Sequence, residues 1–139
     1  MNLPAPQGKW QPTCVILFDE TLSGQRTQAM TLDSLHERTT AREIIRARIW
    51  QEVQEFNASG RRESFKGLVQ RQDSHEKLNT NKFLPVDWEK QLATALRAFE
   101  SNGFFMLVGD RQIAELDEEI EVGPETEVSF VKLVHLVGG

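Results

Sequence analysis

The stretch Phe104-Phe105-Met106-Leu107-Val108-Gly109-Asp110-Arg111-Gln112-Ile113 decides the fold of this chain. Its five leading apolar residues predict a central strand, because strands buried on both faces read as continuous apolar runs. Glycine readily adopts the positive φ that a two-residue hairpin turn needs at its first central position, so Gly109-Asp110 predicts a tight turn. Arg111 to Ile113 is then the short returning strand.

One more strand is predicted near the end of the sequence, from Glu127 to about Leu133. Side chains alternate between the two faces of a strand. Val128 and Phe130 are therefore expected on one face, and Ser129 and Val131 on the other.

The connection between these strands is acidic and contains two turn signals. Leu116 to Ile120 is too short for an ordinary helix and predicts a turn, and Gly123-Pro124 predicts another. Arg111 is the only base in segment 110–127, whose eight carboxylates are Asp110, Glu115, Asp117, Glu118, Glu119, Glu121, Glu125 and Glu127. Two interpretations stay open: the acids steer a basic partner, or they keep a sheet edge solvated and unpaired.

Upstream, the sequence predicts a hairpin over residues 14–32. Cys14 to Phe18 is a short apolar run of strand formers, and Ser23-Gly24 is a turn signal. Arg26 to Leu32 alternates in part, with Ala29 and Met30 interrupting the pattern, and predicts the second strand.

A helix is predicted over residues 40–57. Thr40 and Glu43 match a capping box, in which the two side chains satisfy free amides at the helix start. The apolar residues Ala41, Ile45, Ile49, Val53 and Phe56 recur on one face, whereas Arg42, Arg46, Glu52 and Glu55 are expected elsewhere on the helix.

Residues 57–86 are polar and show no clear period, which is unusual for a connection inside one domain. A second helix is predicted from Asp87, which can cap it, to Asn102-Gly103. Its apolar stripe consists of Trp88, Leu92, Leu96 and Phe99, with Ala95 beside it. Core packing explains this stripe better than a ligand-binding box does.

Composition excludes several classes of protein. The 139 residues carry 16 basic against 21 acidic side chains, so a mainly electrostatic nucleic-acid binder is not expected. No stretch reaches the ~18 apolar residues of a membrane span, and the first residues lack the apolar run of a secretory signal. A single cysteine, Cys14, excludes an internal disulfide and fits the cytoplasm. Cys14 is expected to be a strand residue rather than a nucleophile.

No metal site or enzyme active site is indicated. His36, His75 and His135 are far apart, and no nucleophile–base pair or phosphate-binding loop is evident. Residues 1–13 contain three prolines, Pro4, Pro6 and Pro12, and predict an extended arm. Trp10 is expected to anchor that arm on the domain surface.

These elements together resemble a ubiquitin-like β-grasp protein, an α+β fold. Residues 104–139 carry most of the resemblance: an apolar strand turns through a glycine into a short strand, an acidic turn follows, and the last strand leads to Gly138-Gly139. Segment 127–130 is also similar to the last strand of the thiamine and molybdopterin sulfur carriers. The acidic charge and the longer middle are more like bacterial ubiquitin-like modifiers.

The resemblance implies a division of the chain. Residues 14–132 form the β-grasp domain, and residues 58–102 are an insertion between the main helix and the third strand that carries the second helix. Residues 1–13 are the arm, and residues 133–139 are an extended tail.

The resemblance also implies that the chain is not an enzyme and binds no cofactor. A partner activating enzyme uses ATP to adenylate Gly139, and Gly138 provides clearance in a narrow active-site channel because it lacks Cβ. A conjugating enzyme and a deconjugating protease are the further partners, with lysine amines on target proteins as acceptors. The tail residues read by the partners are Leu133, Val134, His135, Leu136 and Val137.

The implied partner surface on the domain combines an apolar and an acidic part. Leu107 and Val131 match the apolar patch of ubiquitin relatives, although burial of Leu107 in the core is an equal alternative. Asp117, Glu118 and Glu119 are the acidic part. Two other functions stay open: a sulfur carrier that forms a thiocarboxylate at Gly139, and a β-grasp module that only binds.

Overall fold

A five-stranded mixed sheet with two helices forms the framework of the chain. The computed structural model describes residues 12–60, 64–71 and 83–133. The elements are β1 (Val15–Thr21), β2 (Arg26–Leu32), β3 (Arg38–Thr40), α1 (Ala41–Ser59), α2 (Trp88–Glu100), β4 (Phe104–Val108), β5 (Arg111–Ile113), β6 (Glu119–Glu121) and β7 (Thr126–Lys132). The sheet order is β2-β1-β7-β4-β5. The predicted α+β class is confirmed.

The centre of this sheet is a parallel pair. β1 runs parallel to β7 from the pair Val15/Thr126 to the pair Thr21/Lys132, and the other three pairings in the sheet are antiparallel. The strand nearest the end of the sequence therefore lies in the middle of the sheet, between β1 and β4.

Both predicted hairpins of this sheet are confirmed. Gly24 and Gly109 lie in their turns with φ of 97° and 59°, values that glycine adopts without strain. In the first hairpin the register shifts between Leu17 and Phe18, which pair with Met30 and Gln28. Ala29 is thus the extra residue of a bulge, and the bulge explains why the alternation of β2 is interrupted there.

The core lies between the two helices and one face of the sheet. Alternate residues of the central strands point into it, so Leu17, Met106 and Phe130 are fully buried. Phe104 links the layers, because its ring lies 5.9 Å from that of Phe99 on α2 and 5.7 Å from that of Phe130.

The first helix begins as predicted and ends two residues later than expected. Thr40 caps it by accepting a hydrogen bond from the Glu43 amide, and Gly60 ends it in the left-handed conformation. The predicted apolar face is buried from Ala41 to Val53, and Phe56 is half-buried. Glu52, expected away from the apolar face, has a side chain that is only 8% exposed.

The second helix is shorter than predicted, and its buried face is rotated about the helix axis from the predicted apolar stripe. Asp87 caps it by accepting from the amides of Glu89 and Lys90. Its most buried residues are Gln91, Ala95 and Phe99, whereas the predicted stripe members Trp88, Leu92 and Leu96 are half-buried beside the core. Gln91 tolerates burial because its amide donates to the carbonyls of Val69 and Gln70.

Much of the polar stretch 57–86 is tied to the domain by specific hydrogen bonds. The Asn57 side chain both donates to the Val86 carbonyl and accepts from the Val86 amide. Buried Arg71 donates to the carbonyls of Leu84 and Pro85. Residues 72–82 lie outside the described part of the chain.

A second, two-stranded sheet was not predicted. β3 pairs with β6 in antiparallel register, with Thr39 opposite Ile120. The predicted turn at Leu116 to Ile120 is therefore a turn that continues into a strand. The Arg42 amide donates to the Leu116 carbonyl, so this small sheet holds the acidic connection against the start of α1.

We expect Phe99→Ala to lower the free energy of unfolding by about 3–5 kcal/mol, because the change opens a cavity between α2 and β4. Leu96→Ala on the same helix is the matched control and should cost clearly less, since Leu96 is half-buried. Urea unfolding followed by circular dichroism measures both values. Equal small losses would show that α2 does not contribute to the core.

Candidate functional site

The candidate site begins at the end of β7. Val128 and Phe130 face the core, and Ser129 and Val131 face the other side of the sheet, as predicted. Val131 and Leu133 are half-buried. The tail residues Val134, His135, Leu136, Val137, Gly138 and Gly139 lie outside the described part of the chain.

An apolar outer face of the sheet flanks this strand end. Directly opposite residues lie on the same face, and β1, β7 and β4 contribute the rows Phe18–Ser129–Leu107 and Glu20–Val131–Phe105. All but Ser129 are half-buried, and Ser129 is buried. Leu107 thus lies on the outer face rather than in the core.

One arginine borders this outer face. The guanidinium carbon of Arg26 lies 3.6 Å from the centre of the Phe18 ring. The same side chain forms ion pairs with Glu20 at 3.3 Å and with Glu127 at 2.8 Å. A flat apolar surface with a charged border has the composition of a protein-binding surface.

Half of the predicted acidic cluster is neutralised by ion pairs. Asp117 pairs with Arg42, Glu118 with Arg111, Glu121 with Arg38 and Glu127 with Arg26. Hydrogen bonds from Arg42 and Arg111 hold the pKa values of Asp117 and Glu118 below the ordinary range. The carboxylates without an ion pair to a described residue are Asp110, Glu115, Glu119 and Glu125.

A buried charge cluster on the core side of β7 was missed by sequence reasoning. Arg48 of α1 is 2% exposed and binds Asp19 of β1 through two hydrogen bonds of 2.6 and 2.9 Å. It also donates to Glu52 at 2.9 Å and lies 4.8 Å from the centre of the Phe130 ring. Lys132 lies 3.5 Å from Asp19 at the last residue of β7.

This cluster also holds segment 64–71 near the end of β7. The Glu52 carboxylate accepts from the Leu68 amide at 3.1 and 3.2 Å, and Lys132 donates to the Gly67 carbonyl at 3.5 Å. A Cβ on Gly67 would lie 2.7 Å from both Glu52 and Phe65, so the close approach needs a glycine. The end of β7 is therefore fixed to α1, β1 and this segment.

The two carboxylates of the cluster have pKa values shifted in opposite directions. Burial raises the pKa of Asp19, but its hydrogen bonds and charge interactions with Arg48 and Lys132 outweigh burial and leave the pKa lowered. Burial is the dominant effect at Glu52 and raises its pKa despite the pairing with Arg48. In the sequence, the only signal for this cluster is the i, i+4 spacing of Arg48 and Glu52. Exposed ion pairs on helices have the same spacing, so the signal does not indicate burial.

A concavity beside the two helices is named here the tryptophan groove. It measures about 700 Å³ and lies between α1, the start of α2 and the segment that precedes β3. Its lining residues are Ser34, Leu35, His36, Thr39, Glu43, Arg46, Ala47, Trp50 and Trp88. Sequence reasoning assigned no role to Trp50.

The described residues offer little that indicates catalysis. Residues 12–60, 64–71 and 83–133 contain no cluster of three or more His, Cys, Asp or Glu that could hold a metal ion. Cys14 is half-buried with a free thiol. Its backbone bonds to Gly123 and Thr126 beside the start of β7. None of the described helices is both long and apolar enough to cross a bilayer.

Comparison with known proteins adds no relative, since no family model, curated protein or solved structure matches this chain. The function must therefore be inferred from the sequence and the geometry above.

We expect Arg48→Leu to lower the free energy of unfolding by about 3–5 kcal/mol, because it leaves the Glu52 carboxylate buried without its cation and removes both hydrogen bonds to Asp19. Arg97→Leu, an exposed position on α2, is the control and should change stability by less than about 0.5 kcal/mol. Chemical unfolding of both variants measures the difference. Similar values for the two would contradict a cohesive role for the cluster.

The lowered pKa of Asp19 predicts the sign of a pH effect. A carboxylate with a lowered folded-state pKa stabilises the fold above its ordinary pKa of 3.8, and that stability is lost as the pH falls through the folded value. The stability advantage of the wild type over Asp19→Asn should therefore be constant from pH 7 to 5 and shrink below about pH 4. An advantage that grows on acidification would contradict the Asp19–Arg48 pairing.

Proposed function

We propose that this chain is a ubiquitin-like protein modifier with a β-grasp fold, joined through Gly139 to amines on target proteins. The observation that carries the proposal is the placement of β7, which pairs parallel to β1 at the centre of a mixed sheet and leads toward Gly138-Gly139. A β-grasp has this arrangement of an N-terminal hairpin, a helix across one face and a central last strand.

The chemistry of the proposal requires an activating partner, because a carboxylate is a poor acyl donor. The Gly139 carboxylate attacks the α-phosphate of ATP and releases pyrophosphate, and a cysteine thiolate of the activating enzyme then displaces AMP. A target amine finally displaces the thiolate and forms the amide. The chain provides no catalytic group in this scheme; it provides the acyl group and surfaces that partners recognise.

The geometry around β7 supports a tail that leaves from a rigid base. Lys132 is held by Asp19 and by the Gly67 carbonyl, and Asp19 is held by buried Arg48. Leu133, which follows Lys132, is half-buried. In the proposal, Leu133, Val134, His135, Leu136 and Val137 form an extended strand-like ligand whose alternate side chains contact the walls of a partner groove.

The outer sheet face supports a second point of partner contact. Leu107 and Val131 contribute to the half-buried apolar surface beside the end of β7, and Glu119 carries an acid that no described base neutralises. We infer that apolar contact dominates recognition here. Asp117 and Glu118 are engaged by Arg42 and Arg111 and contribute less than the bare sequence indicates.

Removal of Gly138 and Gly139 tests the reactive end. The truncated chain should fold as the full chain does, because glycine buries no side chain, but it should form no ATP-dependent thioester with a candidate activating enzyme. Gly138→Val should also fail, since a Cβ obstructs a narrow channel. Intact mass and a non-reducing gel detect the thioester, and Gln112→Ala, on exposed β5, is the control expected to react normally.

The same assay separates the alternatives. Replacement of one terminal oxygen by sulfur, read as intact mass, would select the sulfur-carrier function. Full biological activity of the truncated chain would overturn both functions that need Gly139. A β-grasp module that only binds would then remain, with the outer sheet face as its surface.

Leu107→Asp tests the outer face. Because Leu107 is half-buried and points away from the core, the variant should keep a cooperative unfolding transition while conjugation falls by about tenfold or more, the effect of losing 1.4 kcal/mol or more of partner contact. Gln54→Asp, at an exposed position of α1 away from this face, is the matched charge control and should conjugate normally. A folded Leu107→Asp variant with normal conjugation would remove this face from the proposal.

A further inference from the structure

The tryptophan groove leaves a large apolar side chain open to solvent. Trp50 is 47% exposed and, with Leu22, is one of two large apolar side chains classed as exposed in the part of the chain that the structure describes. Leu22 lies in a hairpin turn, where a single exposed leucine needs no explanation. Trp50 lies instead in a concavity beside another indole.

The groove is built for an aromatic or proline-rich ligand. The rings of Trp50 and Trp88 lie 5.0 Å apart at 85°, so they present a face and an edge at right angles. The guanidinium of Arg46 lies 5.7 Å from the Trp88 ring, and Leu35 and Ala47 contribute apolar lining. Grooves lined by aromatic rings bind extended proline-rich segments, because such segments are already stiff.

The N-terminal arm joins the domain at this groove. Thr13 is 7% exposed, and its hydroxyl donates a 2.6 Å hydrogen bond to the carbonyl of Leu35, a lining residue. The described chain therefore begins beside the groove. Trp10 is three residues from Thr13, a reach of up to about 10 Å for extended chain.

The composition of residues 1–11 fits the groove. Pro4 and Pro6 favour a polyproline conformation, and Trp10 offers a third indole. Lys9 is the only charged side chain in residues 1–11, and Glu43 gives the groove a carboxylate. The Glu43 side chain is 46% exposed, so its carboxylate is accessible to solvent beside Arg46.

We propose that the tryptophan groove binds the N-terminal arm of the same chain, with Trp10 against Trp50 and Trp88. The connection through Thr13 makes the contact intramolecular, and a short tether raises the local concentration to the millimolar range, so few contacts suffice. The arm then covers the helical side of the molecule and leaves the outer sheet face and the end of β7 free. The proposal does not depend on the modifier function.

The test is nuclear magnetic resonance of the tryptophan indole N–H groups in the full chain. A docked Trp10 should show a heteronuclear NOE close to that of half-buried Trp88. In Trp50→Ala, which changes a half-exposed side chain, the NOE of Trp10 should fall to the value of a free peptide. Leu22→Ala, the other exposed apolar position, is the matched control and should leave Trp10 unchanged.

Three results would overturn the proposal. The first is a free-peptide NOE for Trp10 in the unmodified chain, a measurement that depends on no variant. The second is a docked Trp10 that does not respond to Trp50→Ala in a folded variant, which would place the arm elsewhere. The third is a Trp10 signal that changes on dilution, which would make the arm of another copy the occupant.

Discussion

The parallel pairing of β1 with β7 is the constraint on which the rest of the structure depends. Parallel neighbours cannot be joined by a tight turn, so the chain between Thr21 and Thr126 must travel from one end of the sheet to the other. Both helices and the hairpin β4–β5 lie in that connection. Because β7 has a strand on each side, Val128 and Phe130 are fully buried.

The Arg48 cluster complements this pairing from inside. A buried guanidinium is costly unless its hydrogen-bonding groups are paired, and here Asp19, Glu52 and the face of Phe130 surround it. Each partner connects Arg48 to another part of the structure. Asp19 lies on β1 and also contacts Lys132 of β7, and Glu52 accepts a hydrogen bond from segment 64–71. The cluster thereby fixes the position of α1 relative to the last residues of β7.

Sequence reasoning succeeded where local chemistry decides the structure. Thr40, Gly24 and Gly109 mark a helix start and two turns because caps and turns depend on a few adjacent atoms. It failed where distant partners decide. β3 and β6 are three-residue strands whose pairing bridges about eighty positions, and no local pattern marks them.

The same limit applies to the buried polar residues. Arg48, Glu52 and Gln91 read as exposed helix residues because their partners, Asp19, the Leu68 amide and the Val69 carbonyl, come from other elements. Within the candidate site, alternation along β7 predicted the face of Val131, whereas the outward direction of Leu107 required the sheet register. The tail and its glycines remain a proposal that rests on the resemblance and on the placement of β7.

The most direct measurement of the central claim is a search for the tail on other proteins. Trypsin cleaves after Lys132, so a conjugated lysine should retain the seven-residue remnant Leu133-Val134-His135-Leu136-Val137-Gly138-Gly139. Tryptic digests should be prepared from cells that express the chain together with its neighbouring genes. Mass spectrometry of these digests should detect this remnant on target lysines. It should disappear when Gly138 and Gly139 are deleted. Abundant functional chain without any remnant-bearing peptide would contradict a modifier function.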